Sequence, residues 1–258
     1  MLDLGPMPGS SRRRQIVEAL SEREEVQVAA LAVVLGCSEM TVRRDLEALE
    51  REGILRRVHG GATRAQQTAE ETPYGMRAFS HSDEKARIGA RCAELLDEGE
   101  TVVLDGGTTV VEVARALRGR RLTVMPLALR PVFELHDSPE VRLLLPGGEV
   151  RPGELSLIGG LSRHSFSELH FDTFVLSPCG FEPEAGVTAH LMAEAEVKRA
   201  ALEASRRVIV VADSSKLGVV AFGLVCPIQR VDVLVTDSGA DPGFLDRIVG
   251  LGVDVQVA

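Results

Sequence analysis

The residues whose types and spacing could do chemistry fall into four short stretches. The first is Asp105-Gly106-Gly107-Thr108-Thr109, set between an apolar run and an amphipathic one. Two glycines let backbone amides converge, a following helix would turn its positive end toward them, and two hydroxyls add donors, so a phosphate fits here without a metal. By itself the pentapeptide is also a plain turn signal. It matches neither G-x-x-x-x-G-K-[ST] nor G-x-G-x-x-G, which argues against a nucleotide triphosphatase and a dinucleotide enzyme.

Two later stretches repeat the logic. Glu194-Ala195-Glu196-Val197-Lys198 opens a helix after Gly186-Val187-Thr188, and Asp213-Ser214-Ser215-Lys216 follows an apolar strand. Acidic residues in a first helical turn also simply complement the macrodipole, and Asp-Ser-Ser is also a turn. Of 29 basic residues only Lys85, Lys198 and Lys216 are lysines. A compact ammonium is not replaced by a planar guanidinium where a point contact is needed, so their positions carry weight. The expectation is that all three lysines converge with the Asp105 to Thr109 loop around one anion.

The fourth stretch is RRRQIVEALSEREEVQVAALAVVLGCSEMTVRRDLEALEREGILRRVHGGAT, residues 12–63. Val28, Leu31, Ala32 and Leu35 mark a short helix that stops at Gly36, and Ser38 offers an N-cap for a helix beginning near Glu39. Val42, Leu46 and Leu49 then share one buried stripe, leaving Thr41, Arg43, Arg44 and Glu47 outward. Such a face can dock in a major groove, with Arg and Thr reaching bases or phosphates. Arg56, Arg57 and His59 lie on an expected two-stranded wing closed by Gly60-Gly61. Ser38, Thr41, Arg43, Arg44, Arg56, Arg57 and His59 are therefore the candidate contacts to double-stranded DNA.

The elements that must position these residues alternate. Strands are expected at 101–104, 122–125, 141–145, 173–177, 208–212, 231–236 and 253–257, and helices at 85–96, 110–117, 155–169, 193–204 and 242–249. Alternation of this kind implies an α/β domain with a largely parallel sheet, its ligands at the carboxyl ends of the strands. The domains expected are 1–65 for DNA binding, a polar linker at 66–82, and 83–258 for sensing and oligomerisation.

The motifs RR-I-L, LA-LG-S, TVRRDL-LE-GIL and R-HGGA resemble the N-terminal winged helix-turn-helix of the DeoR family of bacterial transcriptional regulators. Residues 84–237 resemble that family's C-terminal sensor domain. The resemblance implies a Rossmann-like fold related to ribose-5-phosphate isomerase. It further implies that Asp105, Gly106, Gly107, Thr108 and Thr109 form a sugar-phosphate loop, joined by Lys85, Glu194, Glu196, Lys198, Asp213 and Lys216. Pro126-Leu127 stands where the family usually has an Asn-containing turn, and Ser177-Pro178-Cys179-Gly180 replaces a more glycine-rich loop.

Composition agrees with such a regulator. Residues 1–65 hold 10 basic and 10 acidic side chains, so the whole net charge of −9 belongs to 66–258. DNA binding must then rest on local patches and be strongly salt-dependent. No apolar run reaches membrane-spanning length, and Met1 to Ser11 lacks the pattern of a signal peptide, so a cytoplasmic protein is expected. Cys37, Cys92, Cys179 and Cys226 are scattered, without zinc spacing, which predicts reduced thiols, no metal and no cofactor.

The expected function is a transcriptional regulator, a repressor of carbohydrate-metabolism genes controlled by a phosphorylated sugar and working as a homo-oligomer. Two alternatives are a DNA-binding protein whose large domain only oligomerises, and a sugar-phosphate isomerase using Asp105 or Glu194 as base.

Overall fold

The structure is a computed structural model that describes residues 8–23, 25–51, 54–64 and 72–258. It divides into two compact units, Met1–Ser82 and Asp83–Ala258.

The first unit contains α1 (Pro8–Glu22), β1 (Glu25–Gln27), α2 (Val28–Val34), α3 (Glu39–Arg51), β2 (Leu55–Val58), β3 (Gly61–Arg64) and α4 (Tyr74–Phe79). Ile16, Val17 and Leu20 of α1, Leu31 of α2, and Val42, Leu46 and Leu49 of α3 close one core with Ile54, Leu55 and Met76. Helix α2 stops because Gly36 adopts φ +59, which lets the Cys37 amide reach the Ala32 carbonyl and the Gly36 amide the Val33 carbonyl. That pairing satisfies two carbonyls the helix end would otherwise leave open. Ser38 then caps α3, its Oγ accepting from the Thr41 amide at 3.2 Å.

The wing is a three-stranded antiparallel sheet in the order β1-β3-β2. Its two glycines have different reasons. Gly60 takes φ +79 in the turn, whereas a Cβ on Gly61 would lie 2.1 Å from the Val26 carbonyl oxygen, so only glycine lets β1 approach β3. Strand β1 is too short to show alternation in the sequence. Within the stretch expected to link the domains, 66–82, α4 is helical, Met76 is buried in the first core, and a Cβ on Gly75 would stand against Ile54. Two apolar anchors in a polar stretch left no periodicity to read. Residues 65–71 lie outside the described residues.

The second unit contains α5 (Ser82–Glu94), β4 (Thr101–Leu104), α6 (Thr108–Ala116), β5 (Leu122–Pro126), α7 (Leu129–Leu135), β6 (Val141–Leu143), β7 (Glu149–Val150) and β8 (Leu157–Ile158). It continues with α8 (Gly160–His164), β9 (Phe171–Leu176), β10 (Gly180–Glu182), β11 (Gly186–Ala189), α9 (Met192–Glu203), β12 (Ser205–Val211), β13 (Gly223–Cys226), β14 (Val233–Thr236), α10 (Pro242–Gly250) and β15 (Asp254–Val257). Seven strands form one sheet, β15-β14-β12-β9-β4-β5-β6, and every pairing in it is parallel.

Alternation along β4 sends Val102 and Leu104 into a core with α5 and α6, and Val103 into a second core with α9. Both faces are covered, which is why these strands read as continuous apolar runs. The chain runs outward from β4 through β5 and β6, then returns to place β9 on the other flank of β4. The junction between β4 and β9 is therefore the switch point, where loops diverge and leave a crevice.

The expected helix at 155–169 is reduced to a short central piece. Leu157 and Ile158 pair with β7 instead, and only Gly160–His164 is helical, because Gly159 at φ +94 breaks the run. A small antiparallel sheet, β10-β11-β13, and helix α7 were not anticipated.

Candidate functional site

On α3 the buried positions are Val42, Asp45, Leu46, Ala48 and Leu49. Asp45 is a charged member of that stripe and holds α1: Arg12 Nε donates to its Oδ2 at 2.6 Å and Arg13 Nε to its Oδ1 at 3.3 Å. Burial opposes the Arg12 charge, but the bond to Asp45 outweighs it and lifts the guanidinium above its usual value. The basic cluster at 12–14 is thus mostly spent inside the unit, since Arg14 also pairs with Glu18 at 3.0 Å. Asp45 was findable, because it lies one turn from both Val42 and Leu49.

The outward face retains Thr41, Arg43 and Arg44. Arg43 makes a 3.4 Å contact to Glu39 one turn back, a solvent-exposed pair of the weakest kind. Arg44 and Arg56 are exposed, with no carboxylate within 4 Å among the described residues, and His59 is exposed at the wing turn. Ser38 and Thr41 share a hydrogen bond of 2.9 Å between their hydroxyls. Arg57 behaves differently from Arg56. Its Nη1 donates to Glu47 at 3.0 Å and its amide to Glu50 at 2.8 Å, so it ties the wing to α3.

In the second unit the carboxyl ends of β4 and β9 bring a buried cluster together. Asp105 accepts from the Gly106 amide at 2.7 Å, from the Ser177 amide at 3.0 Å and from Lys198 Nζ at 2.8 Å. Lys198 also donates to the Ser177 carbonyl at 2.9 Å. Burial pushes the Asp105 carboxyl up, against the pull of Lys198 and the two amides. Burial alone would lower the Lys198 ammonium, yet Asp105, Cys179 and Glu194 hold it above its ordinary range. Across their 2.8 Å contact each group offsets part of the burial penalty of the other.

Glu194, one turn before Lys198 on α9, accepts from Arg151 Nη1 at 2.9 Å and from Ser156 Oγ at 2.5 Å. Its burial raises its pKa, but Lys198, Ser156 and Arg151 together bring it below the usual carboxylate value. Arg151 and Ser156 come from the β7–β8 hairpin, far from α9 in sequence, and nothing local signalled them.

Helix α6 begins at Thr108 without a side-chain cap, and Gly107 takes φ 102 immediately before it. A Cβ on Gly107 would stand 3.3 Å from Ser177 Oγ, so the crevice is narrow at this point. Thr108 and Thr109 are buried beside it.

Lys198 joins the Asp105 loop, whereas Lys85 is buried against Asp213, 3.8 Å away. Asp213 also accepts from the Ser215 amide, and Asp237 from the Ser214 amide and hydroxyl. Lys216 is half-buried with no carboxylate within 4 Å among the described residues. Glu196 is separated from the cluster: two residues beyond Glu194 on a helix, it points to solvent, 4.0 Å from Arg163.

Among the described residues no group of His, Cys, Asp or Glu side chains is placed to hold a metal, and no helix is long and apolar enough to cross a membrane. Burial pushes the Cys92 and Cys226 thiols up to about 12, which leaves both unreactive.

The comparisons with known proteins agree with this division. The family described as DeoR-like helix-turn-helix domain matches residues 12–68, and that described as DeoR C terminal sensor domain matches 80–238. The transcriptional repressor AccR of Agrobacterium fabrum is 36% identical over 230 residues, covering 88% of this chain and 89% of AccR. The putative aga operon transcriptional repressor of Escherichia coli O157:H7 is 32% identical over 249 residues, covering 95% and 93%. Ribose 5-phosphate isomerase A from Methanocaldococcus jannaschii aligns over 54% of this chain and 55% of its own, with a TM-score of 0.40 and 15% identity. The relatives are regulators rather than enzymes. The chain belongs to the DeoR family of transcriptional regulators, with a DNA-binding helix-turn-helix unit followed by a sensor domain.

Proposed function

We propose that the protein is a repressor of carbohydrate-metabolism genes whose hold on its operator is altered by a phosphorylated sugar bound at the β4–β9 crevice. Residues 1–65 read DNA in this scheme, 66–82 connect, and 83–258 sense and oligomerise. The observation that carries the sensor assignment is the uncapped start of α6 beside the buried Asp105–Lys198 pair. A helix N-terminus without a side-chain acceptor offers free amides and a positive potential to an anion. Lys216, with no carboxylate within 4 Å among the described residues, supplies the additional cation, while Lys85, Asp213, Glu194 and Thr109 shape the walls. The names of AccR and of the aga operon repressor support repression as the sign.

Melting the protein with matched phosphorylated and unphosphorylated sugars tests the reading. A sugar phosphate should raise Tm, and its parent sugar should not. If no ligand raises Tm while the protein binds DNA, the large unit serves only to oligomerise.

A homo-oligomer follows from the DNA geometry, because a single winged helix buries little interface and linked heads raise effective concentration. The edge strand β13 supports contact with a second copy: Phe222 is 77% exposed beside exposed Val220 and Leu224, and no charged residue lies between Lys216 and Arg230. An acidic domain approaches its own copy most easily along such a strip. Light scattering should show more than a monomer, and Phe222→Asp with Leu224→Asp should reduce it.

A further inference from the structure

The polar face of α3 is interrupted by one large apolar side chain. Met40 is 64% exposed, the second residue of the helix, flanked by Glu39 and Thr41 and one turn before Arg44. It does not belong to the core that Val42, Leu46 and Leu49 close, nor to the apolar residues packed against that core. The polar groups around it are already engaged. Glu39 contacts Arg43 at 3.4 Å, and the Thr41 hydroxyl is shared with Ser38 at 2.9 Å.

A recognition helix enters the major groove with its N-terminal residues nearest the base edges. What Met40 meets there is restricted by chemistry. The groove edge of every base pair presents hydrogen-bond donors and acceptors, and its one apolar group is the C5-methyl of thymine. A thioether has no proton to donate, is a poor acceptor and is flexible enough to settle against a methyl group. Arg43 and Arg44, by contrast, suit guanine edges or phosphates. We propose that Met40 is a specificity-determining residue, which reads a thymine of the operator through its C5-methyl group.

The test uses the full-length protein and duplexes enriched by it from a random-sequence library of unmodified DNA. Each thymine of an enriched duplex, on both strands, is replaced in turn by uracil, which removes the methyl and keeps the hydrogen-bonding edge. For the wild-type protein one position, repeated in each half-site, should show binding weakened about fourfold, the equivalent of one buried methylene. Met40→Ala should bind the thymine duplex more weakly and be indifferent to uracil at that position, whereas Met40→Leu should keep the preference. Because Met40 is outside the core, both variants should melt with the wild type, which excludes misfolding as the cause. The proposal is overturned if the wild type tolerates uracil everywhere, or if Met40→Ala retains the uracil penalty. It also falls if no duplex is enriched, and in that case the DNA-reading face as a whole falls with it.

Discussion

In the DNA-binding unit Arg44, Arg56 and His59 stay at the surface, whereas in the sensor unit Lys85 and Lys198 are buried against Asp213 and Asp105. The two units therefore hold positive charge for different ends. A surface guanidinium keeps its hydration until a phosphate or base edge replaces it, so its attraction is available to DNA and is weakened by salt. A buried lysine without its aspartate would carry a heavy desolvation penalty, so its charge serves to fix the loops that surround the crevice. Each unit also contains the other arrangement. Asp45 neutralises Arg12 and Arg13 inside the winged helix, and Lys216 remains without a carboxylate in the sensor. The contrast lies between cations that organise and cations that recognise.

The largest effect should come from breaking an organising pair. Lys198→Met leaves Asp105 buried with only the Gly106 and Ser177 amides as donors. Loss of one partner of a buried pair costs about 3–5 kcal/mol, and chemical denaturation of the sensor transition should show it. Adding Asp105→Asn should restore part of that loss. A single variant as stable as the wild type would mean that the pair organises nothing.

Removing recognising cations should have the opposite profile. Arg43→Ala with Arg44→Ala should weaken binding to an enriched duplex by about 1–3 kcal/mol per good base contact and flatten its salt dependence, with Tm unchanged. A fall in Tm with affinity intact would place these arginines in the organising class.

The sign of a pH effect sharpens the sensor side. Glu194 has a depressed pKa in the folded protein. Its contribution to stability is therefore present above its unfolded value of about 4.3 and is lost as the pH falls through the lower folded value. Glu194→Gln should be less stable than the wild type near neutrality by about 1–2 kcal/mol, and the gap should close below about pH 4. A gap that stays constant down to low pH would show that the carboxylate charge is irrelevant. Arg57→Ala should give the smallest effect, on the order of 0.2–1 kcal/mol in stability, because its bond to Glu47 is solvent-exposed.

Much of this was legible in the sequence where the signal is local. The Gly36 stop, the Ser38 cap and the Val42-Leu46-Leu49 stripe are set by neighbours within one turn, and they stand in the structure as the pattern requires. The parallel strands were visible because burial on both faces leaves unbroken apolar runs. The site was legible in part. Asp105, Lys198 and Glu194 do meet, but Arg151 and Ser156 reach Glu194 from a hairpin whose second strand the sequence presented as helix. The carboxylate partners of the lysines were not legible: Lys198 pairs with Asp105 and Lys85 with Asp213, each reached across strand–helix junctions far apart in sequence. Glu196 faces solvent by helical phase, since residues two apart on a helix point away from each other.

The most direct test of the account is the affinity for an enriched duplex, measured by fluorescence anisotropy with and without the sugar phosphate that raises Tm, for the wild type and for Lys216→Ala. The account predicts that the ligand shifts the wild-type Kd by about tenfold or more. Lys216→Ala should match the wild type without ligand and need about tenfold more ligand to respond, since a charge-assisted hydrogen bond contributes about 1.5–3 kcal/mol. An unchanged Kd with ligand bound, or a wild-type response from Lys216→Ala, would contradict it.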